Sequence, residues 1–272
     1  MDRSRLGRIG GLAAGAALGT LLTACSDTGG STVKTDSGKE VQLISEGQLT
    51  VCTHLPYQPF QFREGDEIVG FDVDMMDRVA QRLGVEQQIV DTPFEGIQSG
   101  EDLSAGKCDA AAAGMTITGE REKKIDFSDP YFDATQALVV KKGASYSGLE
   151  DLEGETLGVQ DGTTGEIYAE ENAPEGVELR AYEDLALLLT AVKTGQIPAA
   201  INDSSVLYPY IEKNPDTAVV TEFDTGEQYG FAVKEQDSEA LLEVINEVLA
   251  ESRSDGSYDE TYRKWFGEAP EK

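Results

Sequence analysis

The fold is decided by residues 156–203, which read TLGVQDGTTGEIYAEENAPEGVELRAYEDLALLLTAVKTGQIPAAIND. Short apolar runs alternate here with stretches of helical length, and Gly195 ends the second of those stretches. The predicted strands are 156–159, 177–179 and 199–201, and the predicted helices are 164–171 and 185–192. An order of β-α-β-α-β predicts an α/β unit built on a parallel sheet.

The same order precedes that stretch. Apolar residues recur at spacings of two to four over 71–83, and Gly84 follows as the expected end of an amphipathic helix. The predicted strands are 49–52, 88–90 and 110–113, and a weaker helix is predicted at about 96–105. Two similar α/β units predict a ligand crevice at the carboxyl ends of the strands, between the units.

Two further helices are predicted at the C-terminus. Apolar residues between Leu241 and Leu249 line one face of the first helix, and Asp255-Gly256 breaks it. The aromatic residues of the second helix are Tyr258, Tyr262, Trp265 and Phe266, followed by Gly267. They could form a binding stripe, but their helical spacing favours packing in the core.

The composition excludes several classes of protein. The 272 residues include 22 Lys and Arg against 51 Asp and Glu, so the formal net charge is -29. Such a chain repels phosphate backbones and anionic headgroups, so we expect no nucleic-acid partner and no electrostatic attachment to a membrane surface. One histidine and three cysteines without metal-ligand spacing predict no metal site, and we expect no cofactor.

Residues 1–24 are predicted to be an export signal. Three arginines within the first eight residues precede an apolar and small-residue run over 9–22, which is too short for a comfortable membrane span. Residues 22–25 read LTAC, which resembles the lipobox of bacterial lipoproteins. Cys25 is therefore the predicted lipidation site and 25–45 a lipidated, flexible tether, with a plain signal peptide and an incidental cysteine as the alternative.

Several motifs lie at the strand ends and helix starts of both units. They are PYQPF at 56–60, VGFDVD at 69–74, AGMTIT at 113–118 followed by Arg121, IDFSDPY at 125–131, GVQDGTT at 158–164, and Asn202-Asp203. Together these motifs resemble the family 3 extracellular solute-binding proteins, the polar amino-acid receptors of bacterial ABC importers, over about residues 47–267.

The resemblance implies an α/β, two-lobed periplasmic-binding-protein fold (type II), with two parallel-sheet lobes joined by two hinge crossings near 131–135 and 221–228. Lobe 1 would comprise 46–132 and 226–272, and lobe 2 would comprise 133–225. The implied function is that of an extracellular receptor, lipid-anchored to the outer face of the cell membrane and monomeric. It would capture a polar amino acid between the lobes and deliver it to an ABC transporter permease.

The same resemblance assigns residues to the two charged ends of an amino acid. The carboxylate ligands would be Arg121, Thr116, Thr163 and Thr164, and the ammonium ligands would be Asp203 and the Gly114 carbonyl. From the residues alone, the charged run 120–124 also fits a solvated face, Asp203 also fits a turn, and the pair at 163–164 also fits a helix cap.

Other matching positions concern the ligand's side chain. Tyr57 and Phe94 fall where the family places the side chain between two aromatic rings, with packing on the lobe surface as the alternative. His54 falls where many relatives have an aspartate, which disfavours a lysine or arginine ligand, although a lone histidine is often a satisfied structural residue. Because His54, Gln160 and Asn202 form hydrogen bonds and are not anionic, we expect a polar neutral or acidic ligand, such as glutamine or glutamate.

An enzymatic alternative remains, because cyclohexadienyl dehydratases resemble these receptors. A dehydratase needs a general acid or base in the cleft. Glu95 and Glu166 are candidates, although both are also typical of surface carboxylates. The lipobox and the tether favour a receptor, so we predict no catalytic residue and no enzymatic activity.

The implied fold also suggests a disulfide. Cys52 at the end of the first strand and Cys108 at the start of the third would lie on neighbouring strands. Export permits oxidation, and lipid occupies Cys25, so Cys52 and Cys108 are predicted to pair. Two free buried thiols are the alternative.

Overall fold

The structure, a computed structural model, describes residues 30–35 and 38–267. The predicted signal peptide and the predicted lipidation site Cys25 lie outside the described residues. Within those residues, no helix combines the length and the apolar character that crossing a membrane requires.

The described chain alternates strands and helices. The strands are β1 Ser31–Lys34, β2 Glu40–Leu43, β3 Gln48–Thr53, β4 Phe62–Glu64, β5 Glu67–Val69, β6 Glu86–Asp91, β7 Ala110–Ala111, β8 Ile125–Phe127, β9 Phe132–Lys141, β10 Thr156–Gln160, β11 Glu178–Tyr182, β12 Ala199–Asp203, β13 Thr217–Tyr229 and β14 Ala232–Lys234. The helices are α1 Phe71–Leu83, α2 Phe94–Gln98, α3 Glu101–Ser104, α4 Thr164–Asn172, α5 Leu185–Thr194, α6 Ser204–Lys213, α7 Glu239–Asp255 and α8 Ser257–Phe266. The strands and helices predicted for both units are present, and the weaker predicted helix is divided into α2 and α3 at Gly100, whose φ is +75°.

Two five-stranded sheets form the two lobes. Their strand orders are β6-β3-β7-β14-β8 in the first lobe and β11-β10-β12-β9-β13 in the second. Three neighbouring strands of each sheet pair in parallel, as predicted. One strand of each sheet is reversed: β14 runs antiparallel to β7 and β8, and β9 runs antiparallel to β12 and β13. Both sheets are therefore mixed: the predicted parallel strands are present, and each sheet also contains an antiparallel strand that was not predicted. Each reversed strand is the first strand after the chain has crossed from the other sheet: β9 follows β8 of the first sheet, and β14 follows β13 of the second sheet.

The connections between the sheets lie beside one long antiparallel pair. β9 and β13 pair from Lys141 with Thr217 as far as Phe132 with Tyr229, with a shift of register between Phe223 and Glu227. The preceding β8 and the following β14 belong to the first sheet. The chain thus crosses between the lobes twice, at neighbouring positions.

Aromatic side chains fill the core of the first lobe where it meets this pair. The Phe60 ring packs edge-on against the rings of Phe132, Tyr229 and Phe266, with centroids 4.9, 5.2 and 5.3 Å away. In α8, Tyr258 lies 5.5 Å from the Phe71 ring. The aromatic residues of α8 therefore pack in the core, which confirms that interpretation over a binding stripe.

The predicted tether includes an ordered hairpin. β1 and β2 pair antiparallel, and Val41 and Leu43 are buried in the core that α7 also lines. Lys39 forms an ion pair with Glu243 of α7. The prediction of a flexible tether is wrong for these strands, because alternation at Val41 and Leu43 places two apolar side chains on one face.

Cys52 and Cys108 form the predicted disulfide. Their Cα atoms are 5.6 Å apart, and both residues are buried. Cys52 lies in β3 next to β7, and Cys108 lies two residues before β7. The bridge therefore links β3 to the segment that leads into β7.

Candidate functional site

A cavity lies between the two lobes. Its lining residues are His54, Tyr57, Gln61, Phe94, Ala113, Gly114, Thr116, Arg121, Gln160, Thr163, Thr164 and Asp203. All but one of the predicted ligand-binding residues belong to this set. The exception is Asn202, which lies behind the lining and donates a hydrogen bond to Gln160 (3.2 Å).

The topology explains why these residues meet. His54 follows β3, Ala113 comes shortly after β7, Gln160 ends β10 and Asp203 ends β12. These four strands are parallel within their sheets, so their carboxyl ends lie at one edge of each lobe. The edges face each other across the cavity, at the place where open α/β sheets bind ligands.

Arg121 is a buried cation on the first-lobe side. Its Nη1 donates to the Thr116 carbonyl (2.7 Å), its Nη2 donates to the Gly162 carbonyl of the second lobe (3.0 Å), and its guanidinium lies 5.3 Å from the Phe94 ring centroid. Burial lowers the pKa of Arg121 to about 10, so the side chain remains charged at neutral pH. Among the described residues it forms no ion pair with a carboxylate. Because a buried charge needs compensation, the cavity favours an anion beside Arg121.

Asp203 is a buried carboxyl on the second-lobe side. Its oxygens accept hydrogen bonds from the hydroxyls of Tyr57 (2.6 Å) and Tyr229 and from Gln136 Nε2. Burial, followed by the nearby charge of Glu227, raises the pKa of Asp203 to about 6 in spite of these donors. The carboxyl is therefore mostly ionised at neutral pH, and it favours a cation in the cavity.

Glu227 was not predicted, and it links the two lobes at this site. Its carboxylate accepts hydrogen bonds from the hydroxyls of Thr116 (2.8 Å) and Thr164 (2.6 Å). Gln136 Nε2 also donates to it (3.2 Å). Glu227 and Gln136 lie in β13 and β9, and the pairing of these two strands brings both side chains beside the lining residues.

Gly114 shapes the first-lobe wall. Its φ is +55°, and a Cβ atom at this position would lie 2.8 Å from a ring carbon of Tyr57. Its N–H donates to Asp72 (2.8 Å), and the Tyr131 hydroxyl donates to the other oxygen of that carboxyl (2.8 Å). Burial raises the pKa of Asp72 to about 7. Tyr57 thus rests against a bare backbone and also reaches Asp203 in the second lobe.

The second-lobe wall contains the start of α4. Thr163 is the N-cap: its Oγ1 accepts from the Glu166 N–H (3.3 Å) and donates to the Gln160 carbonyl (2.7 Å). Thr163 therefore caps the helix, and both Thr163 and Thr164 line the cavity. The N-terminus of a helix attracts negative charge, so this wall favours an anion close to Arg121.

The other polar lining residues include His54 and Gln61. His54 Nδ1 lies 2.9 Å from the Thr92 carbonyl, and Gln61 Nε2 donates to the His54 carbonyl (3.3 Å). Gln61 was not predicted, because it lies between two phenylalanines in a loop without regular periodicity. Within the described ranges, no group of three or more His, Cys, Asp or Glu side chains could hold a metal ion.

Comparison with known proteins agrees with this architecture. The profile of the bacterial extracellular solute-binding proteins, family 3, matches residues 49–268. The arginine-binding extracellular protein ArtP of Bacillus subtilis is 33% identical over 247 residues, covering 90% of this chain and 92% of ArtP. The ABC transporter glutamine-binding protein GlnH of the same organism is 40% identical over 209 residues, covering 75% of each chain.

A solved structure extends the likeness to three dimensions. An ancestral arginine-binding protein bound to glutamine is 42% identical to this chain, with a TM-score of 0.77 over 82% of this chain and 99% of the ancestral one. The chain belongs to the bacterial extracellular solute-binding proteins, family 3. The two relatives named above are both amino-acid-binding proteins.

Proposed function

We propose that this protein is an extracellular receptor that captures one polar amino acid between its lobes and delivers it to the permease of an ABC importer. The observation that carries this function is the pair of opposite buried charges in one cavity, Arg121 on the first lobe and Asp203 on the second. An amino acid has an anionic and a cationic end, so it compensates both charges at once. Each lobe then contributes one of the two charged groups that bind the ligand.

The residues assigned by resemblance have contacts suited to these roles. Arg121 retains guanidinium N–H groups beyond the two bonded to carbonyls, and these can meet a carboxylate together with Thr116 and the start of α4. Asp203 and the Gly114 carbonyl can accept from an ammonium. For the ligand, the neutral lining supports glutamine or glutamate, while the relatives named above bind glutamine in one case and arginine in another.

The proposal includes export and anchoring. Residues 1–24 would direct export, lipid on Cys25 would hold the mature protein at the outer face of the membrane, and the receptor would act as a monomer with lobe boundaries near 132 and 226. Metabolic labelling with a palmitate analogue tests the anchor. Labelled wild type and unlabelled Cys25→Ser protein would support it, whereas label on both would contradict it.

A melting-temperature panel tests the receptor function. Ligand at one hundred times its Kd should stabilise the protein by about 2.7 kcal/mol. We expect one chemically related group among the twenty amino acids to raise the midpoint, with no response to sugars or metal ions. A response to sugars or metals and to no amino acid would overturn the function.

The site does not favour the dehydratase alternative. Neither Glu95 nor Glu166 is among the described residues that line the cavity: Glu95 accepts from Gln98, and Glu166 accepts from the Gly162 N–H. Asp203, the lining carboxyl, is held by three donors. Incubation with prephenate or arogenate should therefore give no aromatic product, and formation of one would restore the alternative.

A further inference from the structure

His54 presents an acceptor to the cavity. A carbonyl oxygen can only accept, so the contact between His54 Nδ1 and the Thr92 carbonyl places the hydrogen on Nδ1. In a neutral imidazole, the other nitrogen then carries a lone pair. That atom, Nε2, is buried and has no hydrogen-bond partner among the described residues.

Gln61 presents a second acceptor beside it. Its Nε2 donates to the His54 carbonyl, which fixes the orientation of the amide because the reverse orientation would oppose two oxygens. Its Oε1 is buried and is likewise without a partner in the described part of the chain. Gln61 is 1% exposed and His54 is 8% exposed, and both line the cavity. Two adjacent lining residues of the first lobe, joined by a hydrogen bond, thus each have a buried acceptor without a partner in the described part of the chain.

Gln160 presents a donor from the second lobe, and a chain of hydrogen bonds fixes its orientation. The Asp203 backbone N–H donates to Asn202 Oδ1 (2.9 Å), so the other polar atom of that amide must be the donor Nδ2. Asn202 Nδ2 donates to Gln160 Oε1 (3.2 Å). The remaining polar atom of the buried Gln160 side chain is therefore Nε2, a donor.

The geometry points to a primary carboxamide as the group that this end of the cavity recognises, so that the ligand is glutamine or asparagine. This inference rests on the proposed function. A carboxamide has two N–H donors, which match His54 Nε2 and Gln61 Oε1, and one carbonyl, which matches Gln160 Nε2. A carboxylate supplies no donor to the two acceptors, and a guanidinium supplies no acceptor to the donor. Unsatisfied buried groups penalise both competitors.

Calorimetric titration of the full mature protein, freed of ligand, tests the inference with glutamine, asparagine, glutamate and arginine. We expect glutamine or asparagine to bind at least about tenfold more tightly than glutamate and arginine, the effect of one mispaired buried group. Glutamate or arginine as the tightest ligand would overturn the carboxamide assignment while leaving the receptor function intact. Binding of no amino acid would overturn both.

Three variants examine the individual atoms. His54→Asn keeps a donor near the Thr92 carbonyl and removes Nε2, and Gln61→Met removes the second acceptor at similar volume. Each should weaken glutamine binding about tenfold and reduce the ratio of glutamine to glutamate affinity. Gln160→Glu replaces the donor by an acceptor, so it should lower glutamine affinity and raise arginine affinity.

Gln87→Met is the matched control, because Gln87 is a partly buried glutamine of the same lobe that bonds to Val73 and Asp77. It should leave the affinity ratio unchanged. If His54, Gln61 and Gln160 have a purely structural role, their substitution should lower the affinities for all four amino acids by the same factor. That result would overturn the inference. If His54→Asn or Gln61→Met fails to fold, Gln160→Glu still tests the inference, because glutamate has the same shape as glutamine.

Discussion

The two lobes have the same strand order but end their third strands differently. In the first lobe, β7 has two residues and leads into an irregular segment that carries Arg121. In the second lobe, β12 has five residues and runs directly into α6, with Asp203 at the junction. The shared topology brings both third strands to the same cleft. The different continuations supply a cation on one side and an anion on the other.

The interiors of the lobes also differ. The first lobe contains the aromatic rings that pack edge-on around Phe60, and the disulfide from β3 to the segment before β7. A separate core of the second lobe is mainly aliphatic, with Leu157, Val159 and Ile201 at its centre. Aromatic packing and a disulfide thus stabilise the first lobe, whereas aliphatic packing stabilises the second. A substitution in one lobe should therefore change stability or binding differently from a substitution at the equivalent position of the other lobe.

Removing the disulfide should give the largest effect. Cys52 and Cys108 are 56 residues apart, so the bridge stabilises the folded state by about 4 kcal/mol in the chain-entropy model. Cys52→Ser with Cys108→Ser should lower the free energy of unfolding by that order, and amide exchange should accelerate in β3 and β7 more than in β10 and β12. Equal acceleration in both sheets would show that the lobes unfold as one unit.

Arg121→Ala should abolish tight binding. The ligand carboxylate loses its charged partner in a desolvated cleft, which costs about 3 kcal/mol or more, a loss of at least about a hundredfold in affinity. Arg121→Lys should restore only part of it, because an ammonium cannot form the planar two-point contact. Titration calorimetry measures both. Arg180→Ala, at an exposed arginine of β11, is the control, and near-normal affinity in both Arg121 variants would place Arg121 outside the ligand site.

Ligand affinity should depend on pH because the Asp203 carboxyl of the second lobe titrates. The pKa of Asp203 is raised to about 6, so the carboxyl becomes protonated below that value and no longer compensates the ligand's ammonium. Affinity should be constant above about pH 7 and should fall by up to about tenfold per pH unit below 6. Asp203→Asn should bind weakly at every pH and should remove this dependence. A wild-type affinity that stays constant down to pH 5 would contradict the assignment.

Thr163→Ala should have the smallest effect and should act in the second lobe. Loss of the N-cap costs about 1 kcal/mol of stability, and loss of the hydroxyl changes the wall that faces the ligand carboxylate. Thermal unfolding and titration should both show a small decrease. Thr163→Ser retains the cap oxygen and should behave as wild type. A Ser variant as impaired as the Ala variant would assign the role to the methyl group instead.

The sequence by itself determined the order of the elements in both lobes. Apolar spacing and the glycines at 84, 195, 256 and 267 are local signals, and each glycine ends a helix in the left-handed conformation that favours glycine. Local motifs also pointed to most of the cavity lining, since residues at the carboxyl ends of parallel strands must converge. Resemblance to the family supplied the roles of those residues and the pairing of Cys52 with Cys108.

The tertiary structure alone decided which atoms face the ligand. Gln136 and Glu227 lie beside the lining residues because β9 pairs with β13, and no local pattern encodes that long-range pairing. The antiparallel strands of both sheets likewise depend on pairings between distant segments. The orientation of the Gln160 amide depends on Asn202, which is 42 residues away along the chain. Hydrophobic periodicity in the sequence indicates which face of a helix or strand is buried. The direction in which a polar side-chain atom points is fixed only when its hydrogen-bond partners from distant segments are in place.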